Sequence, residues 1–185
     1  MTRTTPWGAL ALLALLAWAG PGQAKEVPLP PWSTTLRAGA FVLYAPGVPG
    51  HPVGPDLELS VGRSIYDLVT VEVNAGWYTA SLTGTGTQLT VVPLTVSLKL
   101  LAAPERGFEA YAVAGLGANL TRLSGGVLAG TPTSTVAFHA GLGVRHRLGE
   151  ALFAGLDARY AFQDAASPLG RLDGLRLSLL AGTAF

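Results

Sequence analysis

From Trp32 to the C-terminus, apolar residues alternate with small or polar ones, segment after segment. A period of two belongs to an extended strand with two unlike faces, not to a helix. Eight such segments are predicted, at residues 32–44, 56–64, 68–80, 87–101, 108–121, 134–148, 151–162 and 173–185. Each is long for a soluble strand and suits the ~9–11 tilted residues that cross a bilayer. The links mostly alternate in character. Residues 45–55, 81–86, 122–133 and 163–172 are loops rich in Pro, Gly, Ser or Thr, while 65–67, 102–107 and 149–150 are turns. The loop at 81–86 is no longer than the turn at 102–107, so the alternation is imperfect there.

Parity sorts the side chains. In the third segment Val69, Val71, Val73, Ala75 and Trp77 share one face, and Thr70, Glu72, Asn74, Gly76 and Tyr78 the other. In the fifth, Phe108, Ala110, Ala112, Ala114, Leu116, Ala118 and Leu120 oppose a mixed face that carries Glu109, Tyr111 and Asn119. Charge follows the same division. Arg37, Glu58, Glu72, Lys99, Glu109, Arg145, Arg147, Asp157, Arg159 and Arg176 all fall on the polar face. Arg63 and His146 have apolar parity but lie near strand ends. A charge facing lipid costs ~2–4 kcal/mol at the midplane of a barrel and ~0–1 near the interfaces, so this segregation is what a bilayer selects.

Aromatic positions separate a lipid-facing barrel from a soluble one. Trp32, Phe108 and Phe185 fall at one set of segment ends, and Tyr44, Trp77, Phe138, Tyr160 and Phe162 toward the other. Between them the apolar face is mostly Leu, Val and Ala. Two aromatic girdles around an aliphatic band predict a membrane exterior. The predicted fold is therefore all-β: an eight-stranded antiparallel up-and-down transmembrane barrel. Many glycines lie on the polar face, where they leave room for arginines in a lumen only wide enough for side chains. Pro93 interrupts the fourth segment, and Leu89 and Val91 are out of phase with the apolar Leu94, Val96, Leu98 and Leu100, so a bulge is expected there.

Composition agrees with this picture. The 185 residues are 49% hydrophobic and 12% charged, against roughly 25% charged in a typical soluble domain. The net charge of +1 suggests no nucleic-acid partner, and the lack of cysteine excludes disulfides, thiolate sites and a lipoprotein anchor. The N-terminus supplies the export route. Arg3, an apolar run over 9–19 and Gly22-Gln23-Ala24 read as a cleavable signal helix over 1–24, which leaves one barrel domain over 25–185.

The segments Tyr111-Ala-Val-Ala-Gly115-Leu-Gly117-Ala, Ala140-Gly-Leu-Gly143-Val-Arg145 and Leu156-Asp157-Ala-Arg159-Tyr160, with the terminal Phe185, resemble the small outer-membrane barrels of the OmpX, OmpA and OmpW kind. The resemblance spans the mature chain and implies a place in a Gram-negative outer membrane, among its lipids. It also implies that Leu177, Leu179, Ala181 and Phe185 form a C-terminal signal for the barrel-assembly machinery. It does not choose a function, because one fold hosts many.

Candidate chemistry is sparse. His51, His139 and His146 show no metal-ligand spacing, no G-x-S-x-G elbow occurs, and no glycine pair has the setting of a nucleotide loop. No catalytic residue, metal or cofactor is expected. The inward charges are expected to form an ion-pair network, with Lys99 and Glu109 facing each other across the 102–107 hairpin. The first functional expectation is a closed barrel acting in envelope integrity or surface interaction through its outer loops, whose ligand is not legible. The alternatives are an OmpW-like conduit for small hydrophobic molecules, motivated by the inward apolar Phe41, Leu43, Val113, Phe153 and Leu180, then a lipid-modifying enzyme, then a soluble binder with its apolar face turned inward.

Overall fold

The computed structural model describes residues 32–44, 50–82, 84–102, 107–126, 130, 132–163 and 172–185; the signal helix expected over 1–24 lies outside them. Eight antiparallel strands close into a barrel in chain order. They are β1 (Trp32–Tyr44), β2 (Val53–Tyr66), β3 (Val69–Leu82), β4 (Thr87–Leu101), β5 (Phe108–Ser124), β6 (Thr133–Arg147), β7 (Leu152–Gln163) and β8 (Asp173–Ala184). The expected ends hold for β1 and β4; β2 starts earlier, at Val53, and β5 continues to Ser124. The last strand pairs with the first from Ser33↔Ala184 to Tyr44↔Asp173. Trp32 and Phe185 complete that seam by exchanging backbone hydrogen bonds of 3.0 and 2.9 Å. Trp32, Phe185 and the strand ends joined by the short turns thus share one end of the barrel, the turn end, and the strand ends joined by the longer links share the other, the loop end.

Alternation becomes an inside-out distribution. In β5, Glu109, Tyr111, Val113, Asn119, Thr121 and Leu123 are buried, while Phe108, Ala110, Leu116 and Leu120 are exposed. Leu116, Val136 and Leu179 are 67%, 71% and 68% exposed, whereas Arg37, Glu58 and Arg159 are no more than 2% exposed. Large aliphatic groups outside and charges within are the reverse of a soluble domain.

No bulge forms at Pro93. The pairs Ala75↔Leu94 and Tyr78↔Val91 keep one register on either side of it, and only the rungs of residues 76–77 with 92–93 are missing. Buried and outward positions alternate through β4 without a slip. The apparent change of phase has another cause: Leu89 and Val91 do point inward, because the lumen itself turns apolar toward the loop end. The proline ring also points inward, over Gly76, where an added Cβ would lie 3.0 Å from Pro93 Cγ. A proline that cannot donate is accommodated by leaving rungs open rather than by shifting the strand.

The inward glycines do more than make room for arginines. Gly141 faces the Arg159 stem, as expected, but Gly143 lies under the Tyr111 ring, Gly174 under Phe41 and Gly182 under Phe153. Rings laid on strand glycines fill the lumen while the strands bend.

Candidate functional site

The lumen is stacked in layers. At the loop end Phe41, Leu43, Tyr78, Ala80, Leu82, Leu89, Val91, Leu123 and Leu172 form one buried apolar cluster. Toward the turn end Leu101, Tyr111, Val113, Phe153 and Leu180 form a second. The inward apolar residues singled out in the sequence divide between the two, Phe41 and Leu43 in the first and Val113, Phe153 and Leu180 in the second. Buried charges fill the lumen besides them.

Glu58 on β2 is the hub of these charges. Its Oε1 accepts from Arg37 Nη1 of β1 and from Arg159 Nη1 of β7, both at 3.0 Å, and its Oε2 from Arg176 Nη1 of β8 at 2.6 Å. Arg176 also grips Asp56 through both oxygens, at 2.9 and 2.8 Å. Arg37 reaches Glu72 of β3 at 3.2 Å, and Glu72 in turn meets Lys99 of β4. Asp157 accepts from Arg159 at 3.2 Å and from the Tyr111 hydroxyl of β5 at 2.7 Å. The acids Asp56, Glu58, Glu72 and Asp157 therefore balance the bases Arg37, Lys99, Arg159 and Arg176. Balance matters because a lone buried charge is costly, and each shared oxygen also satisfies a guanidinium hydrogen. Asp56 was missed in the sequence because it adjoins Pro55 at the edge of its segment, although it has the parity of Glu58.

The expected Lys99–Glu109 pair does not form. Lys99 lies beside Val113 on β5 and reaches back to Glu72. Glu109 is instead held by Arg145 and, at 2.7 Å, by Arg147, at the turn-end mouth where Arg147 is 28% exposed. The β4–β5 register puts Tyr111 opposite Leu101, which moves Glu109 beyond the reach of Lys99.

A second polar group was not legible. His139 Nε2 and Ser97 Oγ lie 3.0 Å apart across β5, and Asn74 Nδ2 donates to the same serine oxygen at 2.7 Å. Gly115 makes this contact possible, because a Cβ there would sit 2.4 Å from Ser97 Oγ and 2.6 Å from His139 Cε1. Gly115→Ala is expected to part the pair and to cost about 1–3 kcal/mol through overpacking and lost hydrogen bonding. The urea midpoint of the folded barrel measures it, and an unchanged midpoint would show that the pair carries no stability. Ser97 and His139 are 2% and 4% exposed, so the pair faces no substrate from solvent. Among the described residues no three His, Asp or Glu side chains group to hold a metal ion.

Outside, Trp32, Trp77, Phe108, Phe138 and Phe185 are exposed at 42%, 42%, 61%, 45% and 64%. Trp32 lies under the Arg63 guanidinium at 5.4 Å, and Phe108 beside the His146 ring at 4.4 Å, which occupies the two polar residues of apolar parity. At the loop end four rings gather in one sector, with Phe138, Phe162, Tyr160 and Tyr44 linked by centroid distances of 5.5, 4.7 and 6.3 Å, while Trp77 stands apart on β3. In the last strand Leu177, Leu179 and Ala181 also point outward and are exposed.

No protein-family model matches the chain, and no curated protein matches it in sequence. Solved structures do. Neisserial surface protein A, NspA, superposes with a TM-score of 0.67 at 15% identity, covering 83% of this chain and 97% of that one. The N-terminal β-barrel domain of OprF from Pseudomonas aeruginosa gives 0.57 at 17% identity, with 83% and 97% covered. The outer membrane enzyme PagL gives 0.54 at 14% identity, with 83% and 99% covered. The chain has the fold of the small outer-membrane β-barrels.

Proposed function

We propose that the chain is an exported barrel of a bacterial outer membrane, closed along its lumen, that serves envelope integrity or surface interaction through its loop end. The observation that carries this reading is the filled interior. A balanced ion network spans β1, β2, β3, β4, β7 and β8, and apolar clusters pack at both of its ends. Among the described residues, interior side chains that pair with and pack against one another support a lumen closed to ions. The exterior supports the membrane placement, because a continuous apolar surface with aromatics at its edges is stable only in hydrocarbon. In this reading the outward Leu177, Leu179 and Ala181, with the terminal Phe185, serve recognition by the assembly machinery, and outer-membrane lipid surrounds the wall. The buried Ser97–His139 pair supports a structural role rather than catalysis.

The test is conductance of the chain in a planar lipid bilayer, with insertion shown by a band on SDS gels that shifts on boiling. No discrete steps are expected. Reproducible steps would overturn the closed lumen and favour the second reading, a conduit for small hydrophobic molecules. That reading draws on the missing rungs at residues 76–77 and 92–93, which interrupt the wall beside the apolar Tyr78 and Val91.

A further inference from the structure

On β3, β4 and β5 the apolar outer face stops at Trp77, Val92 and Leu120. Beyond it, toward the loop end, two further rungs of the ladder carry only polar side chains at outward positions. The first is Thr90 and Arg122, paired with a Thr79 that is buried at 6% exposed, and the second is Ser81, Gln88 and Ser124. Gln88 Nε2 donates to Thr79 Oγ1 at 3.2 Å, which ties the two rungs together. Arg122 is exposed, and among the described residues no carboxylate pairs with it. The shelf exists because β3 continues to Leu82 and β5 to Ser124, past the aliphatic band. It occupies one sector only, since the loop-end rim on β6, β7 and β1 carries the rings of Phe138, Phe162, Tyr160 and Tyr44.

We propose that this shelf binds the phosphate of an anionic lipid headgroup in the leaflet at the loop end, with Arg122 as the cation and Thr90, Gln88 and Ser124 as neutral donors. Position argues for the headgroup. The shelf begins one rung beyond Trp77 and Leu120, where acyl chains give way to the polar zone. Charge argues for the phosphate, because Arg122 is a planar donor fork whose charge no described residue neutralises. Cross-strand neighbours on one face stand ~4.5–5.5 Å apart at Cβ, so the hydroxyl of Thr90 and the guanidinium of Arg122 can meet oxygens of one phosphate group. An arginine that merely reached for water would need no donors around it.

The inference rests on the membrane placement proposed above, and the experiment separates the two. The folded chain, identified by its heat-shifted band, is equilibrated in detergent with equal amounts of phosphatidic acid and phosphatidylcholine. Native mass spectrometry then reads the ratio of the two lipid adducts. A juxtaposed arginine at a lipid surface corresponds to about a fivefold preference for the anionic lipid. That preference is expected in the parent chain, retained in Arg63→Gln at the turn end and in Arg122→Lys, and lost in Arg122→Gln. An equal preference in Arg122→Gln would overturn the site. Displacement of phosphatidic acid by inorganic phosphate would show a free-anion site and overturn the lipid assignment. A chain with no heat-shifted band in any lipid would fail the membrane reading instead.

Discussion

Glu58→Ala is expected to lower the unfolding free energy of the barrel by about 3–5 kcal/mol, the range for removing one partner from a buried ion pair. Glu58 accepts from three guanidinium groups that come from β1, β7 and β8. Without it Arg37, Arg159 and Arg176 keep Glu72, Asp157 and Asp56, so four buried bases face three acids. Arg37 and Arg159 also converge on the one oxygen that is lost, and their like charges then oppose each other at close range. Glu58→Gln retains the shape and one acceptor oxygen and is expected to lose less. The urea midpoint of the heat-shifted band in lipid vesicles measures both. Glu109→Ala at the mouth supplies the contrast. There Arg147 is 28% exposed, so water reaches one of the two guanidinium groups that lose a partner, and a smaller loss is expected. Equal midpoints for Glu58→Ala and the parent chain would mean that water, not Glu58, compensates the arginines in the lumen.

Gly39→Val is expected to prevent closure of the barrel, at a cost of about 3 kcal/mol or more. Gly39 pairs with Ser178 on the seam where β1 meets β8. A Cβ at this position would lie 1.9 Å from the carbonyl oxygen of Leu177 and 2.6 Å from the Cα of Ser178. Both are backbone atoms of the partner strand, so no side-chain rotation relieves the overlap. Either β8 moves away or the seam opens, and in the proposed membrane setting an open seam exposes unpaired amides to lipid, where nothing satisfies them. The heat-shifted band is expected to disappear. Gly149→Val is the control, because Gly149 stands in the turn between β6 and β7 with nothing within 4 Å of its added Cβ. A normal band from Gly39→Val would show that the seam has slack the structure does not display.

Both results depend on contacts between strands far apart in the chain, and that is where sequence reading and structure part. A reading by parity identifies the strands because alternation is local: each residue reports its own face. It placed Trp32–Tyr44 and Thr87–Leu101 to the residue. It failed at Pro93 for an instructive reason. A shift from polar to apolar inward residues along β4 has the same signature as a slip in register, and only the pairs Ala75↔Leu94 and Tyr78↔Val91 tell them apart. It ended β5 too early because Arg122 and Ser124 are polar, although they continue the ladder on the outer face.

The chain alone, then, determined the number of strands, their order and which residues share a face, since these follow from period, turn chemistry and the cost of placing charge in hydrocarbon. The tertiary structure decided which acid meets which base. Arginine side chains cross a narrow lumen and skip strands, so Arg159 of β7 finds Glu58 of β2 while Lys99 passes over Glu109 for Glu72. It likewise decided that Gly115 opens the space for Ser97 and His139, and that one sector of the rim is polar and another aromatic. Those outcomes depend on how far each strand is offset from the next around a closed wall, a quantity that no local period encodes.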